Sequence, residues 1–178
     1  MYDLMVIDPP WGVQKNIREV APNQKRELDY ETMDFGDIIK LLRKDIFPKG
    51  NKDCNFFVWT VESYLSLVIN ELSFLGYKKH CTFIWDKDNG MCPAFSVRYS
   101  HEYLLWFYQG KFQLVNELFR GSYKTVIREA PREHSRKPDK AYIMLNHLFP
   151  KSKKLDVFSR EKREGWDQYG NQCDHFKD

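Results

Sequence analysis

Four consecutive residues, Asp8-Pro9-Pro10-Trp11, follow the apolar run Leu4 to Ile7 and are the strongest chemical signal in the chain. Each proline fixes its own φ and lacks an N–H, and Pro10 biases Pro9 toward an extended shape. The loop is therefore stiff, and the carbonyl oxygens around the prolines are available to a ligand. Asp8 and the carbonyl of Pro9 together offer two acceptors for the two hydrogens of a planar exocyclic amine. Trp11 adds a flat face on which a base can stack. A strand end is the right place for such a set, because open α/β sheets bind ligands beyond the carboxyl ends of their strands. The plainer alternative is a strand followed by an Asp-Pro turn with a core tryptophan.

The elements that must position this loop can be read from periodicity. Tyr2 to Asp8, Cys54 to Thr60, Lys79 to Trp85, His101 to Tyr108 and Leu155 to Ser159 read as strands. Thr125 to Arg128 reads as a short edge strand, and Gly165 to Asn171 as a turn and a final strand. Between them, Asp34 can cap a helix from Phe35 to Phe47 that Pro48 and Gly50 end. Leu65, Val68, Ile69, Leu72 and Leu75 mark a helix over Glu62–Leu75 closed by Gly76, and Pro138 opens another to Phe149. Strands alternating with helices predict an α/β fold with a three-layer sandwich and a largely parallel sheet, in one domain over 1–178. Residues 12–29 are polar and without a period, as expected of a mobile active-site loop.

Composition narrows the setting. The chain of 178 residues is long enough for a substantial core. It has no apolar stretch of transmembrane length and no basic-then-apolar leader, so a cytoplasmic, intracellular protein is expected. Its four cysteines are scattered and its histidines lack ligand spacing, which predicts reduced thiols and no metal site. The net charge of +3 is unremarkable, but basic residues cluster at Arg120, Lys124, Arg128, Arg132, Arg136, Lys137 and Lys140. A second cluster is Lys151, Lys153, Lys154, Arg160, Lys162 and Arg163, and both suit either a polyanion partner or a solvated face. No G-x-G-x-x-G is present, so the usual dinucleotide fingerprint is missing.

The order of several motifs resembles the MT-A70 family of adenine-N6 methyltransferases. These are Asp8-Pro9-Pro10-Trp11, Arg98 with His101-Glu102-Tyr103-Leu104-Leu105, His134-Ser135-Arg136-Lys137-Pro138-Asp139, Leu155-Asp156-Val157-Phe158-Ser159-Arg160, Gly165-Trp166 and Gly170-Asn171-Gln172. The likeness covers nearly the whole chain and is greater to compact phage and bacterial members than to the eukaryotic messenger-RNA enzymes. It implies a Rossmann-like S-adenosylmethionine-dependent fold with permuted motif order, the catalytic strand first. It implies catalysis by Asp8, Pro9, Pro10 and Trp11. It implies cofactor contacts from Asp8, Lys137, Asp156, Phe158, Arg160, Asn171 and Gln172, and substrate contacts from Trp11, Glu102, Ser135, Arg136 and Lys137.

Each of the less specific positions has a plainer reading. Asp156 can pair with Lys154 or Arg160, Glu102 with Arg98, and Lys137 can be a solvated lysine before a helix. Glu161-Lys162-Arg163 departs from the eukaryotic pattern, and the resemblance gives those positions no role. The resemblance to phage and bacterial members favours DNA as the substrate, with adenine-N6 methylation of RNA as the alternative. A homodimer or heterodimer, a non-catalytic nucleic-acid-binding subunit, and methylation of an amide side chain remain open.

Overall fold

The computed structural model describes residues 1–12, 31–89, 97–133 and 135–176. The expected mobile loop over 12–29 lies, apart from Gly12, outside the described residues, as does His134. Seven strands form one sheet in the order β5-β3-β4-β2-β1-β6-β7. They are β1 (Tyr2–Ile7), β2 (Gly50–Thr60), β3 (Lys78–Asp86), β4 (His101–Tyr108), β5 (Val126–Arg128), β6 (Lys154–Val157) and β7 (Trp166–Tyr169). β1 runs parallel to β2 and β6, β7 is parallel to β6, and β5 is parallel to β3. Only β4 is reversed, pairing antiparallel with both β2 and β3.

Period-two alternation splits the core between two faces. Met5 and Ile7 point to one face with Phe56, Val58, Leu155 and Val157. There they meet Ile38 of α1 (Phe35–Leu41) and Val68 and Leu72 of α2 (Glu62–Phe74). Leu4 and Val6 point to the other face, where Ala141, Tyr142, Met144, Leu145 and Leu148 of α3 (Asp139–Leu148) cover them. The result is the expected three-layer sandwich. The helix preceding β2 and the helix preceding β6 cover opposite faces, so β1 between those two strands is a topological switch point. A ligand crevice is expected beyond the carboxyl end of such a strand.

Several element ends differ from the sequence expectation. The helix beginning at Phe35 is regular only to Leu41, then widens to a π-helical turn over Leu42–Ile46 and tightens to a 3-10 turn over Phe47–Lys49. The wide turn brings Leu42, Ile46 and Phe47 all into the core, and Pro48, which lacks an N–H, ends the regular pattern. Asp34 stands at the cap, but its backbone carbonyl rather than its side chain receives the Ile38 N–H at 3.0 Å. The strand expected to reach Ser159 stops at Val157, because Phe158 turns left-handed with φ of 62°.

The turn after β4 places strict demands on one residue. Gly110 has φ of 63°, and a Cβ there would sit 2.2 Å from Asp53 Oδ1 and 2.4 Å from the Lys52 carbonyl. The same Asp53 Oδ1 accepts the Lys111 N–H at 2.8 Å, so the segments cannot simply part. Gly110→Ala is expected to lower unfolding stability by about 2 kcal/mol, read as the shift in a urea midpoint. An unmoved midpoint would show that this turn is free to rearrange.

Candidate active site

One cleft, of about 940 Å³, opens along the carboxyl edge of the sheet. That volume lies within the range of small-molecule sites. Asp8, Pro9, Pro10 and Trp11 stand at its middle, where β1 ends. On one side β6 and β7 deliver Phe158, Ser159, Arg160, Asn171 and Gln172. On the other, β2 delivers Trp59 and Thr60, and β3 delivers Trp85 and Lys87. Glu102 reaches the same edge because β4 is reversed: its beginning, not its end, faces the cleft, with Glu102 paired to Trp85. The segment before α3 adds Ser135, Arg136 and Lys137.

Lys137 is fixed by its own neighbourhood. The Arg132 guanidinium donates to the Lys137 carbonyl at 3.1 Å and to Asp139 Oδ1 at 2.7 Å. The Glu129 carboxylate accepts the N–H groups of Asp139 and Lys140 at 2.9 and 3.0 Å, capping α3 from another segment. Held there, the Lys137 ammonium lies 2.8 Å from Asp8 Oδ1 and 3.4 Å from Glu102 Oε2. It is buried, and it is poised over the Trp59 ring at 5.7 Å. Asp8 is thus in an ion pair, yet inside the cleft rather than remote from it.

The two carboxyls respond differently. Burial pushes the Asp8 carboxyl above the usual range, and Lys137 opposes that push without cancelling it. Burial acts on Glu102 in the same sense, but Lys137 and Lys87 together outweigh it and hold Glu102 below the usual range. Asp8 has the strand end around it and one lysine, while Glu102 has two.

Three site expectations need correction. The Pro9 carbonyl already accepts the Trp11 N–H at 2.8 Å, and the Pro10 carbonyl accepts the Met33 N–H at 2.9 Å. Pro9 therefore has one further lone pair for a ligand, and Pro10 has a structural role. Trp11 is 6% exposed, stacked on Tyr64 at 4.9 Å and beside Phe35 at 6.1 Å, with its indole N–H on the Trp59 carbonyl at 3.0 Å. It is a wall locked into the core and presents little face for stacking. Asp156 is 0% exposed and does not line the cleft. Alternation along β6 turns it to the α3 side, where the Tyr142 hydroxyl donates at 3.2 Å and Arg163 lies at 3.5 Å.

Arg136 lines the cleft but is also a clamp. Its guanidinium lies 2.6 Å from Glu161 and 3.2 Å from Glu133, and over the Phe176 ring at 5.7 Å. Arg160 meets the same ring at 4.9 Å, and its carbonyl accepts the Phe176 N–H at 2.8 Å. Ser135 is left-handed, with φ of 68°, and Phe158, also in the cleft, is left-handed too. Two non-glycine residues in that region at one cleft are the kind of strain that gathers at binding sites. Gly170 must stay small, because a Cβ there would lie 3.3 Å from the Phe158 Cα.

Lys87, Trp59, Trp85 and Arg163 are site or site-supporting residues that motif reading missed. Lys87, Trp59 and Trp85 stand at or just past strand carboxyl ends, and the switch-point rule applied to every strand would have found them. Much of the basic excess noted in the sequence is matched by acids from elsewhere. Arg120, Arg128, Arg132, Arg136 and Lys137 all lie in ion pairs with carboxylates, and so do Lys153, Lys162 and Arg163. The exposed pairs among these are weak and do not bar contact with a phosphate.

Comparison with known proteins agrees with this geometry. The MT-A70 family profile matches residues 2–172. An Arabidopsis thaliana protein, "N(6)-adenosine-methyltransferase MT-A70-like", is 29% identical over 96% of this chain and 24% of its own length. The Mycoplasma "Type II methyltransferase M.MunI" is 24% identical over 95% of this chain and 76% of its own length. The human "N(6)-adenosine-methyltransferase catalytic subunit METTL3" is 25% identical over 97% of this chain and 28% of its own length. The chain spans about a quarter of the length of the first curated relatives it matches, at 24% and 23%. A profile match across nearly the whole chain, motifs in their order on successive strand ends, and a cleft at the switch point converge, and the chain belongs to the MT-A70 family.

Proposed function

We propose that this chain transfers a methyl group from S-adenosylmethionine to the N6 amine of adenine in DNA. The observation that carries the reading is the placement of Asp8 at the switch-point strand, midway between two chemically different halves of one cleft. The β6–β7 half offers the Asn171 and Gln172 amides, the Arg160 guanidinium and the Phe158 ring. That set suits a ligand with hydroxyls, a purine edge and a carboxylate, so the residues fit the cofactor. The half formed by β2, β3, β4 and the segment before α3 offers Lys87, Lys137 and Glu102, braced on the buried Trp59 and Trp85 rings, a charged lining that suits a base amine and the phosphates of its strand.

S-adenosylmethionine supplies, when bound, a methyl carbon activated by a positively charged sulfur. The chain's part is to make a poor nucleophile attack. The lone pair of an adenine amine is delocalised into the ring. Accepting one hydrogen at Asp8 and the other at the remaining Pro9 lone pair favours a pyramidal nitrogen and frees that pair. Orientation and charge complementarity of this kind remove several kcal/mol from a barrier. Lys137 opposes the push of burial and so favours the ionised, hydrogen-accepting form of Asp8. In a duplex the amine is out of reach, so the base must leave the stack at a cost of a few kcal/mol.

The match to the Mycoplasma type II methyltransferase covers most of both chains and favours DNA. The names of the Arabidopsis and human relatives speak for an adenosine acceptor, and so for RNA. Labelled S-adenosylmethionine offered with matched DNA and RNA oligonucleotides, single- and double-stranded, separates the readings. Label is expected at N6 of adenine in DNA. Label in RNA alone would overturn the DNA assignment. Oligonucleotide binding with no label in either would make the chain a non-catalytic subunit.

A further inference from the structure

Along the substrate half of the cleft four charged side chains alternate in sign: Asp8, Lys137, Glu102 and Lys87. Asp8 and Lys137 have a place in the reaction above, and Glu102 and Lys87 have none beyond lining the cleft. Lys87 follows β3 and sets its ammonium 2.6 Å from Glu102 Oε1. The other Glu102 oxygen faces Lys137 at 3.4 Å, and Lys137 lies 2.8 Å from Asp8. Each lysine is braced on an aromatic ring, Lys87 over Trp85 at 5.0 Å and Lys137 over Trp59 at 5.7 Å. Those two rings are buried and meet edge to face at 6.1 Å. The ladder is therefore held at both lysines by the core itself.

A carboxylate with one lysine on each oxygen divides its pull between them. Remove Lys87, and the whole attraction of Glu102 falls on Lys137, drawing it away from Asp8. We propose that Lys87 is a positioning residue for methyl transfer: by holding one oxygen of Glu102 it keeps Lys137 on Asp8, so that Asp8 stays ionised to receive the substrate amine. This rests on the methyl-transfer reading above. Asp8 is faced by Lys137 from the segment before α3, by Glu102 from β4 and by Arg163 after β6. Asp156 on β6 and Tyr142 on α3 also act on it from behind. Lys87 reaches it through Glu102, and burial already drives the Asp8 carboxyl upward, so a weaker Lys137 contact moves it further in that direction.

The test is the titration of Asp8 by carboxyl carbon NMR, its resonance identified with Asp8→Asn. It is run on the wild type, Lys87→Met, Lys87→Arg and Glu102→Gln, beside the pH profile of kcat. Lys87→Met is expected to raise the Asp8 midpoint and the acid limb of kcat together by about one pH unit. Lys87→Arg restores both, and Glu102→Gln lowers the midpoint because Lys137 is then left to Asp8. A well-folded Lys87→Met, checked by thermal melt, with an unmoved Asp8 midpoint overturns the proposal, as does an equal fall in kcat at every pH. Lys87→Gln serves if the methionine variant melts early. A wild type that methylates nothing refutes the reaction, whereas the titration still decides the coupling.

Discussion

Asp8→Ala is expected to lower single-turnover methyl transfer by about 10²- to 10³-fold, with cofactor binding by calorimetry nearly unchanged. The variant removes the charged acceptor but leaves the Pro9 carbonyl, so the amine keeps one of two anchors. It also leaves Lys137 beside Glu102, at 3.4 Å, so no isolated buried charge remains and the fold should tolerate the change. Asp8→Asn is the sharper comparison, because an amide oxygen can still accept a hydrogen bond. Its loss should be smaller, and its activity should no longer show an acid limb, since nothing at that position titrates. Turnover by Asp8→Ala within tenfold of the wild type would refute the role given to this residue.

Arg163→Met is expected to destabilise the fold by about 3–5 kcal/mol near neutral pH. Arg163 is largely buried, 2.6 Å from Glu161 and 3.5 Å from Asp156, with its guanidinium carbon 3.6 Å from the centre of the Tyr142 ring. Removing it leaves Asp156, which is fully enclosed, without its cation and with neutral hydroxyl partners, Ser159 and, at 3.2 Å, Tyr142. The loss has a pH signature. Burial raises the Asp156 carboxyl to about 7, with Arg163 holding it from going higher.

In the unfolded chain an aspartate titrates at about 4. Between those values the folded chain keeps a proton that the unfolded chain has released, so this group's favourable contribution is complete at low pH and fades as pH rises toward 7. Without Arg163 the fading continues into the alkaline range. The gap between thermal melts of the two proteins should therefore be smallest at about pH 5, where Asp156 is neutral in both, and widen as pH rises through about 7. A gap that does not change with pH would remove Asp156 from the explanation.

The parts of this molecule that local pattern governs were legible in the sequence. β1 and β4 are apolar runs whose ends follow from composition, and α2 closes just before Gly76, whose N–H reaches the Ser73 carbonyl at 3.0 Å. The Asp-Pro-Pro-Trp loop could be placed at a strand end for the same reason, and it lies in the cleft. What resisted reading is what distant segments decide. Arg163 and Arg136 look in the sequence like members of a basic run, yet both turn inward to acids. Asp156 looks like a strand-end ligand, but one step of alternation sends it to the other face. Lys87 carries no motif at all, and its role depends on Glu102, fifteen residues later. The widened turn over Leu42–Ile46 follows from how three apolar residues fit the sheet, which helical periodicity alone does not encode.

The position of β1 also bears on how the protein is made. This first strand is hydrogen-bonded on one side to residues in the fifties and on the other to β6, about 150 positions downstream. Parallel pairings of such long sequence separation carry a large loop-closure penalty and form slowly. During synthesis β1 must wait, one flank unzipped, until β6 emerges. Nascent chains stopped before β6 would hold Asp8 but no finished crevice, and an unpaired edge of that kind invites association with chaperones or with other copies.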